Sequence, residues 1–340
     1  MTTLFHRADP RQGAVPCGWQ TVLAEAVTDP RELCRILSLP AALAEEACRV
    51  ADPFRLFVPR PYLDRIRRGD PDDPLLRQVL PIGAESEVVE GFSRDPLRED
   101  EATFTPGLLS KYRGRSLIVT TGRCGVHCRF CFRRHHPAPA LDGDKDRLGR
   151  ALDHLARDGS IHEVILSGGD PLVLEDDVLS ELAERISQMK GIRRMRIHTR
   201  MPVVVPQRVT DTLLAGIRQT HLAVVMVLHV NHPAEIDEAV AQAIGRLVDA
   251  GIPLLSQSVL LRGVNDQCDI LAELYERLID LRVTPYYLHQ LDRVSGAAHF
   301  EAPEKRGVEL ITGLRALLPG YAVPRYVRDI PGSLNKQILA

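Results

Sequence analysis

From Gly114 to His289 the chain repeats one pattern: a short apolar run rich in β-branched residues, a polar loop, then an amphipathic stretch of helical period. The apolar runs predict strands over 116–120, 163–167, 195–199, 223–229, 254–260 and 284–289. They are apolar nearly throughout rather than alternating, which is the mark of parallel strands buried on both faces. Between them the helical period predicts helices near 145–158, 176–190, 209–219, 236–250 and 269–281. Strands alternating with helices give an α/β fold with a parallel sheet and helices outside it. Six such units fall short of the eight of a closed barrel, so the expectation is an open, partial (β/α)6 barrel.

Residues 1–110 follow another pattern, helix-forming and broken by prolines, as in Asp70-Pro-Asp-Asp-Pro. The chain therefore divides into an N-terminal helical segment (1–110), the partial barrel (111–300) and a C-terminal helix with a short tail (301–340). Functional residues of such barrels gather at the C-terminal ends of strands. The unusual residues fall there: a cysteine cluster after the first strand, Ser167-Gly-Gly-Asp-Pro after the second, His198-Thr-Arg after the third, His229 after the fourth and Asp292 after the sixth.

Composition narrows the picture. With 340 residues, 44% apolar and 26% charged, the chain has the make-up of a water-soluble globular protein. A net charge of −2 lacks the basic footprint of a nucleic-acid binder. The longest apolar run, 222–228, is strand-length, so no membrane span is expected. The N-terminus has neither an apolar core nor a small-residue cleavage site, so no signal peptide is expected. Three of the seven cysteines sit within eight residues. A disulfide framework does not cluster them so, which points to the reducing cytosol and to cysteines kept for chemistry.

Cys124, Cys128 and Cys131 have the spacing C-x3-C-x2-C. Three thiolates can hold three corners of a 4Fe–4S cube and leave the fourth iron open. An open iron can bind the amino and carboxylate groups of S-adenosylmethionine and pass an electron to its sulfonium, whereas four cysteines suit plain electron transfer. The competing reading is structural zinc, with His127, His135 or His136 as a further ligand. Phe130, just before the third cysteine, matches the radical S-adenosylmethionine pattern. In Ser167-Gly168-Gly169-Asp170, paired glycines let a backbone approach a ligand without a Cβ.

The chain resembles the lysine 2,3-aminomutases. The likeness runs through Lys111-Tyr-Arg-Gly-Arg, the cysteine cluster with Arg133-Arg134, Ser167-Gly-Gly-Asp-Pro-Leu, Thr199-Arg-Met-Pro, His229-Val-Asn-His-Pro, Gln257-Ser-Val-Leu-Leu-Arg, Pro285-Tyr-Tyr-Leu-His-Gln-Leu-Asp and a C-terminal lysine. It is strongest to the short bacterial branch that makes β-lysine for modification of translation elongation factor P. The resemblance implies conversion of L-α-lysine to β-lysine by a 5′-deoxyadenosyl radical, on lysine joined to pyridoxal 5′-phosphate. It implies that Lys336 carries the pyridoxal phosphate as a Schiff base, with Lys111 and Arg115 near its phosphate. It places His229 and Gln257, with the glycine turn, against S-adenosylmethionine. Arg133 is implied to clamp the substrate carboxylate, and Asp292 and Asp329 to hold the distal ammonium. A reductant of flavodoxin or ferredoxin type is implied as well.

One departure matters. The longer aminomutases bind zinc through cysteines of a C-terminal extension, and this chain has no cysteine after Cys268, itself one position off the matching ligand. No zinc is expected; a homo-oligomer stays open, but its arrangement does not carry over. Cys17, Cys34, Cys48 and Cys268 read as ordinary thiols. The rivals are an aminomutase for another amino acid, another radical S-adenosylmethionine enzyme such as an RNA methyltransferase, and a non-enzymatic metal module.

Overall fold

The computed structural model describes residues 18–52, 54–135 and 146–340. Ten strands among them form one sheet in sequence order: β1 (Thr103–Thr105), β2 (Leu108–Tyr112), β3 (Arg115–Thr121), β4 (Glu163–Gly168), β5 (Arg194–Thr199), β6 (Ala223–His229), β7 (Leu254–Val259), β8 (Thr284–His289), β9 (Arg325–Arg328) and β10 (Gln337–Ile338). From β3 to β9 every neighbouring pair is parallel, and β1, β2 and β10 add antiparallel edges.

The six predicted strands are β3 to β8, each within two residues of its expected bounds. Four of the five predicted helices appear as Asp176–Ser187, Asp211–Gln219, Glu238–Asp249 and Cys268–Asp280. The fifth is Arg147–Arg157, and Lys145 lies outside the described residues. The parallel sheet has a seventh strand that the pattern does not announce: β9 is Arg-Tyr-Val-Arg, too short and charged to read as a buried run. Its Tyr326 and Val327 are nonetheless fully buried.

The sheet is open along its hydrogen bonds but curves until its two margins meet. Tyr112, on β2, donates its hydroxyl to Asp329, just past β9. A cavity of about 210 Å³ lies in this seam, between 97–102 and 110–112 on one side and 329–333 on the other.

The N-terminal helices share the main apolar core with the barrel, which joins Trp19, Leu33, Tyr62 and Leu75 to Met201, Leu228 and Val240. A second apolar cluster of Phe130, Leu261, Val264, Leu291, Val294, Ala297 and Phe300 sits at the strand ends. It packs the cysteine loop against the loops that follow β7 and β8. No helix among the described residues is long and apolar enough to cross a membrane.

Candidate active site

The loop after β3 carries Cys124, Cys128 and Cys131 as unpaired thiols. The Cys131 N–H donates to the Cys128 carbonyl at 3.0 Å and turns the chain between the last two. The N-terminal segment holds this loop from outside: the His127 N–H reaches the Phe57 carbonyl at 3.0 Å, and the Arg129 N–H the Gln78 carbonyl at 2.8 Å. Burial pushes all three thiols up, Cys131 to about 11, and the charges of neighbouring cysteines raise Cys124 and Cys131 further. The thiols thus stand near enough for their charges to act on one another. They are kept neutral until a cation replaces their protons, as metal binding does. Arg200, fully within the core, donates from Nη1 to the Cys128 sulfur at 2.7 Å and is itself held by Glu235 (2.8 Å) and Gln78 (2.7 Å).

The nearby histidines are committed elsewhere. His127 Nδ1 lies 2.8 Å from the Arg55 carbonyl, with its ring stacked on Phe54, and His135 Nε2 lies 2.9 Å from the Ser295 carbonyl. His136 and Cys17 lie outside the described residues. Of the other cysteines, Cys34 is buried and Cys48 and Cys268 are half-buried.

The β4 turn abuts this loop. The Gly169 N–H donates to the Thr121 carbonyl at 2.7 Å, and the Asp170 N–H to the Arg123 carbonyl at 2.8 Å. Gly168 has φ +123°, and a Cβ on it would stand 2.7 Å from the Thr121 oxygen. A Cβ on Gly169 would stand 2.0 Å from the Arg123 oxygen. The close approach these glycines permit is therefore by the cysteine loop itself. Asp170 is fully used inside the protein: its carboxylate accepts from the Thr199 hydroxyl (2.7 Å) and from the N–H groups of Arg200 (2.7 Å), Leu172 (3.0 Å) and Met201 (3.1 Å). It ties the end of β4 to the end of β5.

Charged groups meet beyond this turn. Lys336 Nζ donates to Asp329, whose other oxygen accepts from Tyr112. Burial alone would raise Asp329, but Lys336 and Tyr112 outweigh it and hold the carboxyl low. Asp292 is pushed up to about 7, by burial first and then by the charge of Asp329. Lys336 also stands 6.0 Å from the centre of the Tyr287 ring. Arg133 reaches Ser167 Oγ and the Gly168 carbonyl from Nη1, each at 3.3 Å, and pairs in bidentate fashion with Glu99. Lys111 pairs with the same Glu99 at 2.9 Å.

His198, His229 and His289 stand at the ends of β5, β6 and β8. Burial lowers all three, His229 and His289 to about 3, so they stay neutral. The Nε2 atoms of His198 and His229 are buried with no hydrogen-bond partner among the described residues. His229 stacks on Phe130 (5.6 Å) and pairs in register with Gln257 of β7. Arg115 opens β3 at the end away from the cysteines, 5.2 Å over the Tyr112 ring.

Residues 118–275 match the family model for the Radical SAM superfamily. The chain is 44% identical to an L-lysine 2,3-aminomutase of Haemophilus influenzae over 95% of each chain. It is 44% identical to that of Escherichia coli over 94% of this chain and 93% of the other. The chain belongs to the lysine 2,3-aminomutase family. Against the family's Clostridium subterminale member it is 35% identical over 94% of its own length but only 76% of that protein, whereas it covers 95% and 93% of the two shorter relatives. As a radical S-adenosylmethionine isomerase of this family it uses a 4Fe–4S cluster, S-adenosylmethionine and pyridoxal phosphate.

The three cysteines suit the cluster by residue type and by sharing one loop, and Arg200 gives one sulfur a charge-assisted donor, although among the described residues the thiols are not gathered into a metal-holding group. The partnerless His198 and His229 nitrogens, at the ends of β5 and β6, fit a polar ligand among the strand ends. Sequence reasoning assigned no role to Glu99, Tyr112, Arg200 or His289. Arg200 carried a signal, since it falls at a strand end in Thr199-Arg-Met-Pro; Glu99, in an acidic turn, carried none.

The Gly169 contact gives a direct test of the cluster loop. An added methyl costs about 1–3 kcal/mol when a packed wall must shift, and here the wall is the backbone that carries Cys124. Gly169→Ala is expected to fold but to hold less than about half the iron of the wild type after reconstitution, read by iron and sulfide analysis.

Proposed function

We propose that this protein converts L-lysine into β-lysine in the cytosol. Cys124, Cys128 and Cys131 hold the cluster, and Lys336 carries pyridoxal phosphate. Ser167-Gly168-Gly169 and the His229–Gln257 pair would hold S-adenosylmethionine, with Asp170 bracing that turn. The observation that carries this reading is the charge layout: two half-buried acids, Asp292 and Asp329, feel each other's charge and that of Lys336, which pairs with Asp329, while the half-buried Arg133 stands beside the cysteine loop. That layout suits a molecule with a carboxylate at one end and an ammonium at the other.

When bound, the cluster with S-adenosylmethionine would supply a carbon radical, and pyridoxal phosphate an aldehyde to join the amine and a conjugated ring to delocalise an unpaired electron. The residues of this chain do the rest. Arg133 orients the substrate carboxylate. Asp292 and Asp329 draw in the distal ammonium and disfavour a second carboxylate, which argues against glutamate as substrate. Asp329 and Tyr112 fix Lys336 across the seam. Lys111 and Arg115, near that seam, are suited to a phosphate. The neutral histidines at the ends of β5, β6 and β8 add no positive charge to repel the ammonium. A one-electron donor of flavodoxin or ferredoxin type completes the system, and the match to the shorter family members supports elongation factor P as the destination of the product.

Asp292 gives the test. Its carboxyl is neutral below about 7 and ionised above it. Only the ionised form attracts an ammonium, so kcat/KM for lysine is expected to rise with pH through about 7. This ratio reports the free enzyme. Asp292→Asn removes the rise and lowers kcat/KM roughly tenfold or more, as loss of one buried charge partner does. The same pH profile in the variant, or glutamate turned over faster than lysine, contradicts the reading.

A further inference from the structure

Glu99 lies between two residues that the proposed function sets to work, and its geometry gives it a role of its own. Its side chain is 3% exposed. Oε2 accepts from Arg133 Nε at 2.7 Å, and Oε1 accepts from Arg133 Nη2 at 2.9 Å and from Lys111 Nζ at 2.9 Å. Burial alone would raise its carboxyl, but the charges of Arg133 and Lys111 bring it down to about 2. It is ionised at every working pH.

A guanidinium offers paired donors along two edges only. Glu99 takes the Nε–Nη2 edge. The other edge, Nη1–Nη2, faces the β4 turn, where Nη1 makes two contacts of 3.3 Å, long for N–H···O bonds. That edge is the one able to receive another carboxylate.

Glu99 is anchored rather than poised to move. The Asp95 carboxylate accepts from the Glu99 N–H at 3.0 Å, and the Glu99 carbonyl accepts from the Thr103 hydroxyl at 2.8 Å. The same segment is stapled to the loop that carries Asp292 by Ser93–Arg293 (2.9 Å) and Ser295–Ser93 (2.8 Å) backbone bonds. The preceding Arg98 has φ +48°, a left-handed conformation that a residue with a side chain keeps only when its surroundings impose it.

We infer that Glu99 is a positioning residue for substrate. It locks Arg133 by one edge so that the other presents two donors to a single carboxylate, and through Lys111 it ties this arginine to the seam beside Tyr112 and Asp329. A carboxylate clamp needs fixed orientation more than it needs charge, because a swinging guanidinium loses the paired geometry. The inference rests on Arg133 meeting the substrate carboxylate.

The test uses the reconstituted full chain with three variants: Glu99→Gln, Glu99→Asp and Arg133→Lys. In Glu99→Gln an amide nitrogen replaces one acceptor and opposes the guanidinium donors. KM for L-lysine is expected to rise about tenfold or more and kcat to fall much less, the pattern of lost binding. Iron content and pyridoxal absorbance stay at wild-type levels. Glu99→Asp keeps the charge and restores part of the KM, and it serves as the test variant should Glu99→Gln not fold. Arg133→Lys raises KM at least as much. If it does so while both Glu99 variants keep the wild-type KM, the Glu99 inference is overturned and the arginine reading stands. If Arg133→Lys leaves KM unchanged, the arginine reading falls and the inference falls with it. Loss of cofactor loading in Glu99→Asp, with no selective change in KM, marks a purely structural residue and also overturns the inference.

Discussion

Lys336→Ala is expected to lose the visible absorbance of bound pyridoxal phosphate and to turn lysine over on the order of a thousandfold more slowly, or worse, as when an acting nucleophile is removed. Iron content should not change, because Lys336 lies on the tail past β9 and the cysteines on the loop after β3. The fold should also survive. Stranding a fully buried charge costs about 3–5 kcal/mol, but Asp329 keeps the Tyr112 hydroxyl as a donor. Its carboxyl loses the cation that holds it down, so it rises toward the range of Asp292 and shares its proton more readily. Absorbance after gel filtration and a thermal melt check both points. Full pyridoxal absorbance in the variant would mean that another lysine carries the cofactor.

Cys128→Ala is expected to bring activity below detection with pyridoxal binding intact, the reverse of the Lys336 result. With Cys128 as a proposed ligand, two sulfurs are left for three corners of the cluster, and the sulfur lost is the one that Arg200 contacts. Arg200 keeps Glu235 and Gln78, so its charge stays paired. Iron and sulfide analysis should show the loss, while Cys34→Ala and Cys268→Ala keep wild-type iron because neither thiol belongs to the loop.

These paired predictions show what the sequence made legible. The cysteine loop is local: its spacing sits in eight residues, and strand β3 delivers it to the active end. The strands β3 to β8 were legible because burial on both faces demands an unbroken apolar run. Strand β9 was not, since four residues with arginine at both ends carry no such run, and the hairpin β1–β2 was hidden in a segment that reads as helical. Lys336 was visible through family resemblance alone; nothing about a lysine near a chain end marks it as chemical. Glu99 was out of reach for another reason. Its role is made by partners 12 and 34 residues away, Lys111 and Arg133, and its own neighbours Arg98, Asp100 and Glu101 look like a solvated turn. The glycine turn was legible as a place of close approach, but which backbone does the approaching came only from the fold.

The proposed reaction moves the α-amino group of lysine to the neighbouring carbon within one molecule. The most direct measurement is anaerobic incubation of the reconstituted protein with L-lysine labelled with 15N at the α-amino group, S-adenosylmethionine, pyridoxal phosphate and dithionite. Chiral separation and nitrogen-15 NMR then locate the label. The expected product is β-lysine with the label on C3. Recovery of unchanged α-lysine from protein with full cluster and pyridoxal content would contradict the proposed reaction.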